Sequence, residues 1–251
     1  MGLFDKKNCD ICGGKIGLLG NRKLSDGNLC KECAGKLSPF FSERKQSTVE
    51  QIREQLEYRE ANKEAVANFN VSKMFGKSRY LFIDESAGNF MVNYRKDYKH
   101  DNPDVIPLSA ITRIDVDTND HRSEIKRKGA DGKEVSYNPP RYENYFDIYF
   151  IINVNHPYFD EIRFEISDEI MVETIGSVKA DPTRNIEYQN ALNLAQEMRN
   201  ALQGGGTGSF GGVQAEAAAP KHAVLCPHCG ATTMPTSTNC CEYCGGALPP
   251  Q

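Results

Sequence analysis

Eight of the nine cysteines in this chain fall into two C-x2-C…C-x2-C sets, one near each end, with no cysteine between Cys33 and Cys226. The first set is Cys9/Cys12 with Cys30/Cys33, and the second is Cys226/Cys229 with Cys241/Cys244. A C-x2-C turn places two sulfurs on one side of a tight loop, and two such turns facing each other supply the four soft ligands of a tetrahedral structural zinc site. Seventeen residues separate the pairs of the first set and eleven those of the second, spacings that read as zinc sites. The sequence therefore predicts two zinc ions per chain. Small residues follow each pair (Gly13-Gly14, Ala34-Gly35, Gly230, Gly245-Gly246), as expected if these turns need a positive φ. Cys240 is the ninth cysteine, and the C-x2-C-G spacing selects Cys241 rather than Cys240 as the ligand.

Two other readings of these cysteines carry less. A disulfide framework needs an oxidising compartment, and Met1–Lys7 shows no apolar signal-peptide core. A thioredoxin-like redox pair should follow a βαβ pattern, and none precedes Cys9. Each cysteine-rich segment is too short to fold on apolar burial alone, so metal binding is expected to supply its folding energy.

These sites bracket a longer cysteine-free region in a chain of 251 residues. With 39% hydrophobic and 25% charged residues the composition suits a soluble protein, and no apolar run approaches a membrane span. The net charge of −4 gives no global basic field for nucleic acid. Residues 1–36 carry seven Lys/Arg and four Asp/Glu, and residues 221–251 carry only Lys221 and Glu242. Bound zinc thiolates lower both totals, leaving few cations to neutralise phosphates.

The expected organisation is a zinc ribbon at 1–38, a connecting helix at 48–67, a β domain with a C-terminal helix at 70–203, a flexible linker at 204–222 and a second zinc ribbon at 223–251. Thr48-Val-Glu-Gln51 reads as a capping box, and Val49, Ile52, Leu56, Ala65 and Phe69 recur at helical spacing. From 71 to 168 the period becomes two-fold, in Tyr80–Ile83, Phe90–Val92, Ile111–Val116, Ile148–Val154 and Ile162–Ile166. Gly129-Ala-Asp131-Gly132 signals a hairpin turn. Six to eight short strands predict a barrel or sandwich, closed by a helix at 184–203 with Tyr188, Leu192, Ala195, Met198 and Leu202 on one face. The G-x-G-x-x-G at Gly206, Gly208 and Gly211 lies in the glycine-rich linker, after a helix and before coil, the wrong context for a dinucleotide site.

Cys9-Asp-Ile-Cys12-Gly-Gly with Cys30-Lys-Glu-Cys33 resembles the N-terminal zinc ribbon of a family of uncharacterised bacterial proteins. Val105–Val116, a step from strand to strand before a run of strands and a last helix, resembles the bacterial pleckstrin-homology-like barrel over residues 70–203. Cys226-Pro-His-Cys229-Gly with Cys241-Glu-Tyr-Cys244-Gly is similar to the short zinc ribbons of many bacterial regulatory and membrane-associated proteins. Those ribbons often carry an aromatic before the third ligand, where this chain has Cys240. The resemblances imply binding surfaces and no chemical reaction.

Residues that could carry other chemistry are few. His156 reads as a loop residue after a strand, His228 as a solvent-facing part of a knuckle, and His100, His121 and His222 as lacking partners. Asp115, Asp117 and Asp120 read as an acidic loop near a strand end, with a second kind of metal site as the sharper alternative. Lys126-Arg127-Lys128 with Lys133 forms a basic hairpin that could meet an anionic headgroup, though Glu124, Asp131 and Glu134 interrupt it. The resulting expectation is a cytoplasmic, non-enzymatic zinc-binding adaptor for protein partners, at a membrane or in a stress response, with peripheral membrane contact open. The alternative is a nucleic-acid-binding protein using Arg22, Lys23 and Lys31 of the first ribbon.

Overall fold

The computed structural model describes residues 7–204 together with Val224–Leu225 and Thr232–Thr233. The chain divides into two units, Met1–Gly208 and Ser209–Gln251.

The first unit begins with a small ribbon. Asn8 bridges Lys15 around the first cysteine pair. A short hairpin of β1 (Arg22–Lys23) and β2 (Asn28–Leu29) then leads to α1 (Lys31–Ala34), which carries the second pair. Leu24, Leu29, Ile16 and Leu37 pack around the cysteines, and Ile52 of the next helix completes that cluster. This helix, α2 (Val49–Asn68), starts on the expected capping box, with Thr48 Oγ1 accepting from Gln51 N and Gln51 Oε1 accepting from Thr48 N.

The buried stripe of α2 is not the apolar one that the periodicity suggests. It runs Ile52, Gln55, Arg59, Asn62, Val66, while Ala65 is exposed and Leu56 only half-buried. The helix rests on the ribbon at its start and on polar groups of the β domain further along.

Two four-stranded sheets follow. One contains β3 (Lys73–Phe75), β4 (Tyr80–Asp84), β5 (Asn89–Asn93) and β6 (Ile106–Pro107), antiparallel in that order. Its register sets Leu81 against Val92 and Ile83 against Phe90. These four residues enter the main core, while Phe82 and Met91, pointing the other way, pack with Phe69. Burial on both faces explains the near-continuous apolar runs in this part of the sequence.

The other sheet is built on β8 (Glu134–His156), paired along its length with β7 (Ile111–Lys128). On its far side β9 (Phe159–Glu165) pairs with the C-terminal half of β8 and β10 (Ile170–Ile175) with the N-terminal half. Phe150, Ile152 and Val154 of β8 meet Ile162 and Phe164 of β9 in the core. Against it lies α3 (Ile186–Gly204), contributing Ala195, Met198, Ala201 and Leu202. Tyr188 and Leu192, on the same stripe, pack partly buried against a smaller cluster around Phe146, Ile148 and Ile170.

The barrel expectation needs correcting. Among the described residues no ladder joins the two sheets, so no closed barrel forms. The break has a local cause. β6 is two residues long, ends on Pro107, which has no N–H to donate, and gives way to a 3-10 turn at Leu108–Ala110.

The strands of the second sheet are also far longer than the alternating pattern indicates. Residues 117–128 and 134–147 are largely polar yet paired, apart from residues 137–140, where Pro139-Pro140 sit and the register jumps from Ile125↔Arg141 to Lys126↔Ser136. Gly129 N donates to Lys133 O and Gly132 N to Gly129 O in the expected turn.

In the second unit, β11 (Val224–Leu225) pairs antiparallel with β12 (Thr232–Thr233). The linker at 204–222, the second cysteine set and Cys240, His222 and His228 lie outside the described residues, apart from Gly204 at the end of α3.

Candidate metal centre

The structure brings Cys9, Cys12, Cys30 and Cys33 together, with all four Sγ atoms within 4.8 Å of one another. Cys9 and Cys12 sit in the turn closed by Cys9 N donating to Gly14 O and Gly13 N to Cys9 O. Gly13 has φ +71°, the positive value expected of such a turn. The second pair is built differently. Cys30 caps α1, its Sγ accepting from Cys33 N at 3.3 Å, and Gly35 keeps a helical φ of −71°. The glycine signal is thus functional in the first turn and not required in the second.

A zinc–sulfur bond of about 2.3 Å in a regular tetrahedron implies sulfurs about 3.8 Å apart. Cys12 and Cys30 Sγ are 3.8 Å apart. All four cysteines are free thiols rather than disulfide partners. Cys9, Cys30 and Cys33 are buried and Cys12 is exposed at the edge.

The donor set calls for a cation. Burial opposes ionisation of Cys9, but N–H groups of Cys12, Cys30 and Ile11 outweigh it and bring the thiol down to about 6. At Cys30 the N–H of Cys33 favours the thiolate, yet burial and the Cys9 and Cys12 side chains push the thiol up. Burial, followed by the Cys30, Cys12 and Cys9 side chains, pushes Cys33 up as well. Four thiolates this close together in a largely buried pocket would repel one another, and a divalent ion would offset their charge. The cluster is compatible with a zinc ion bound by four sulfurs, with no position left for water.

The other candidate residues are dispersed. Asp115, Asp117 and Asp120 lie within β7, not in a loop. Alternation along the strand puts Asp120 on the opposite face from the other two. Asp115 pairs with Arg113 at 2.6 Å and Asp117 with Arg163 at 2.9 Å, so they form ion pairs rather than a metal cluster. His156 is the last residue of β8, half-buried, with Nε2 3.1 Å from Tyr58 Oη and its ring stacked on Phe159. His121 stacks on Tyr145, with ring centroids 4.9 Å apart, so it too has a partner; His100 is exposed. Lys126, Arg127, Lys128 and Lys133 are exposed around the β7–β8 turn.

Sequence reasoning missed the polar clasp that holds α2 to the β domain. Arg59 Nη1 meets Asp104 Oδ1 at 2.7 Å, with side chains 7% and 0% exposed. Arg59 also donates to the carbonyls of Lys36 and Asn102, and Ser38 Oγ donates to Asp104 Oδ2 at 2.8 Å. Asn62 donates to Pro103 O and accepts from Val105 N. Lys36 and Ser38 leave the metal ribbon, so the clasp ties ribbon, helix and sheet together.

Fold and site together define a four-cysteine ribbon, compatible with a bound zinc ion, joined to a mainly β domain with a C-terminal helix. A family model described as a domain of unknown function (DUF4428) matches residues 7–55. This span takes in the whole ribbon and the first two turns of α2, the same residues whose side chains enclose the cysteines. No curated protein and no solved structure matches the chain. No described helix is long and apolar enough to cross a membrane.

Proposed function

We propose that this chain is a cytoplasmic, non-enzymatic zinc-binding adaptor that presents surfaces to protein partners. The observation carrying this reading is the sulfur cluster itself: four cysteine ligands would complete a zinc tetrahedron and leave the ion a structural task. The ribbon is joined through α2 and the Arg59–Asp104 clasp to the β domain.

The middle region is read as pleckstrin-homology-like. Two antiparallel sheets in succession, followed by a helix packed on the core between them, support this reading.

The C-terminal segment is read as a second zinc ribbon holding one ion on Cys226, Cys229, Cys241 and Cys244. Its support is a shared register. In the first ribbon the residue before the first cysteine bridges the residue three past the second, Asn8↔Lys15. The pairing Leu225↔Thr232 stands in the same relation to Cys226 and Cys229.

The test is affinity purification of the full chain, with and without residues 204–251. The adaptor reading expects discrete protein partners that survive nuclease treatment and moderate salt. Recovery of nucleic acid alone, released steeply by salt, would transfer the function to the first ribbon as a nucleic-acid binder.

A further inference from the structure

The most exposed large apolar side chains among the described residues are Leu19, at 89%, and Leu18, at 80%. They are adjacent, at the tip of a turn closed by Gly20 N donating to Gly17 O at 2.9 Å. Glycines on either side leave no side chain to shield them. A turn tip is convex, so the two leucines project from the ribbon instead of lining a groove.

Along the sequence their ionisable neighbours are of one sign. From Ile11 to Ser25 there is no Asp or Glu, while Lys15, Arg22 and Lys23 flank the tip. The nearest carboxylates in sequence are already engaged, one within the ribbon and one at the start of α2. Asp10 Oδ2 accepts from Asn28 N at 2.6 Å, and Asp26 Oδ1 accepts from Val49 N at 2.8 Å. Arg22 Nη1 donates to Leu19 O at 3.3 Å, which gives a backbone carbonyl at the tip a partner that need not be water.

We propose that the Leu18–Leu19 turn docks this protein on an anionic lipid bilayer, the leucines entering the headgroup region and Lys15, Arg22 and Lys23 facing the lipid charges. A convex apolar tip flanked in sequence by three cations suits a deformable, negatively charged surface, which needs no preformed pocket to receive it. Apolar burial and basic residues near an anionic leaflet each contribute to such binding. The proposal rests on a metal-loaded ribbon and is independent of what protein the adaptor binds.

The chain contains no tryptophan, so Leu19→Trp in the full-length, zinc-loaded protein supplies a single reporter. Its emission should shift to the blue with vesicles of phosphatidylcholine and phosphatidylserine and stay unchanged with phosphatidylcholine alone. In vesicle sedimentation of the otherwise native chain, Leu18→Ser with Leu19→Ser should lower partitioning about tenfold or more. Lys15→Gln with Lys23→Gln should lower it roughly five-fold per charge removed. Equal zinc content in all samples keeps a lost metal site from mimicking a lost tip. Failure of the zinc-loaded native chain to bind anionic vesicles overturns the proposal. So does binding that survives the double leucine substitution, or binding that appears only when a protein is present on the membrane.

Discussion

At the scale of single residues the consequential charges are buried ones. Arg59 spends its donors on Asp104 and on two backbone carbonyls, and Asp104 receives Ser38 in addition. Removing one partner leaves the other charge stranded away from water. Arg59→Met should therefore cost about 3–5 kcal/mol in urea unfolding, whereas breaking the exposed Lys63–Glu60 pair should change nothing measurable. An Arg59→Met loss no larger than that of a surface substitution would show that the clasp does not hold α2.

His156 responds to pH through the same joint. Burial holds its imidazole below the usual 6.5, opposed only in part by the Asp104 carboxylate, and Tyr58, Tyr158 and Phe159 pack around it. The unfolded chain therefore binds the proton first. The stability His156 contributes is present above pH 6.5 and is lost as pH falls through the depressed folded value. Urea midpoints measured from pH 7.5 down to 5 should decline less steeply in His156→Phe than in the native chain, and identical slopes would remove His156 from the acid response.

At the scale of elements the ribbon and α2 approach closely at Gly27. A Cβ there would lie 2.5 Å from Val49 Cγ2 and 2.8 Å from Asp10 Oδ2. Val49 is the first residue of α2 and its branched side chain has little freedom to retreat. Gly27→Ala should cost about 1–3 kcal/mol while zinc content stays at the native level, because the strain falls on the joint and not on the sulfurs. An equal loss of zinc and stability would mean that ribbon and joint are a single cooperative piece.

The elements also show what could be read in advance. The first cysteine set, the capping box at Thr48 and the apolar stripe of α3 rest on spacing rules that need only local sequence. The outer halves of β7 and β8 were illegible for a physical reason. Alternation appears only where one face is buried, and residues 117–128 are largely solvated, held in place by their ladder to β8. Pro139-Pro140 cannot donate to a ladder, and the register jump that accommodates them depends on the partner strand rather than on local sequence. The clasp escaped for a related reason: Arg59 and Asn62 are polar, and hydropathy cannot mark a polar residue as buried.

At the scale of the whole molecule the N-terminal sulfur cluster is the starting point of a chain of contacts. Cysteines organise the ribbon, the ribbon's apolar cluster includes Ile52, and α2 carries Arg59 into the β domain. The central claim is that zinc on Cys9, Cys12, Cys30 and Cys33 holds that first link, with a second ion on the C-terminal set. Elemental analysis of the full-length protein purified without added metal tests it most directly. The account predicts two zinc ions per chain in the native protein and one in Cys9→Ser. A native chain without zinc, or a zinc content that Cys9→Ser leaves unchanged, would contradict it.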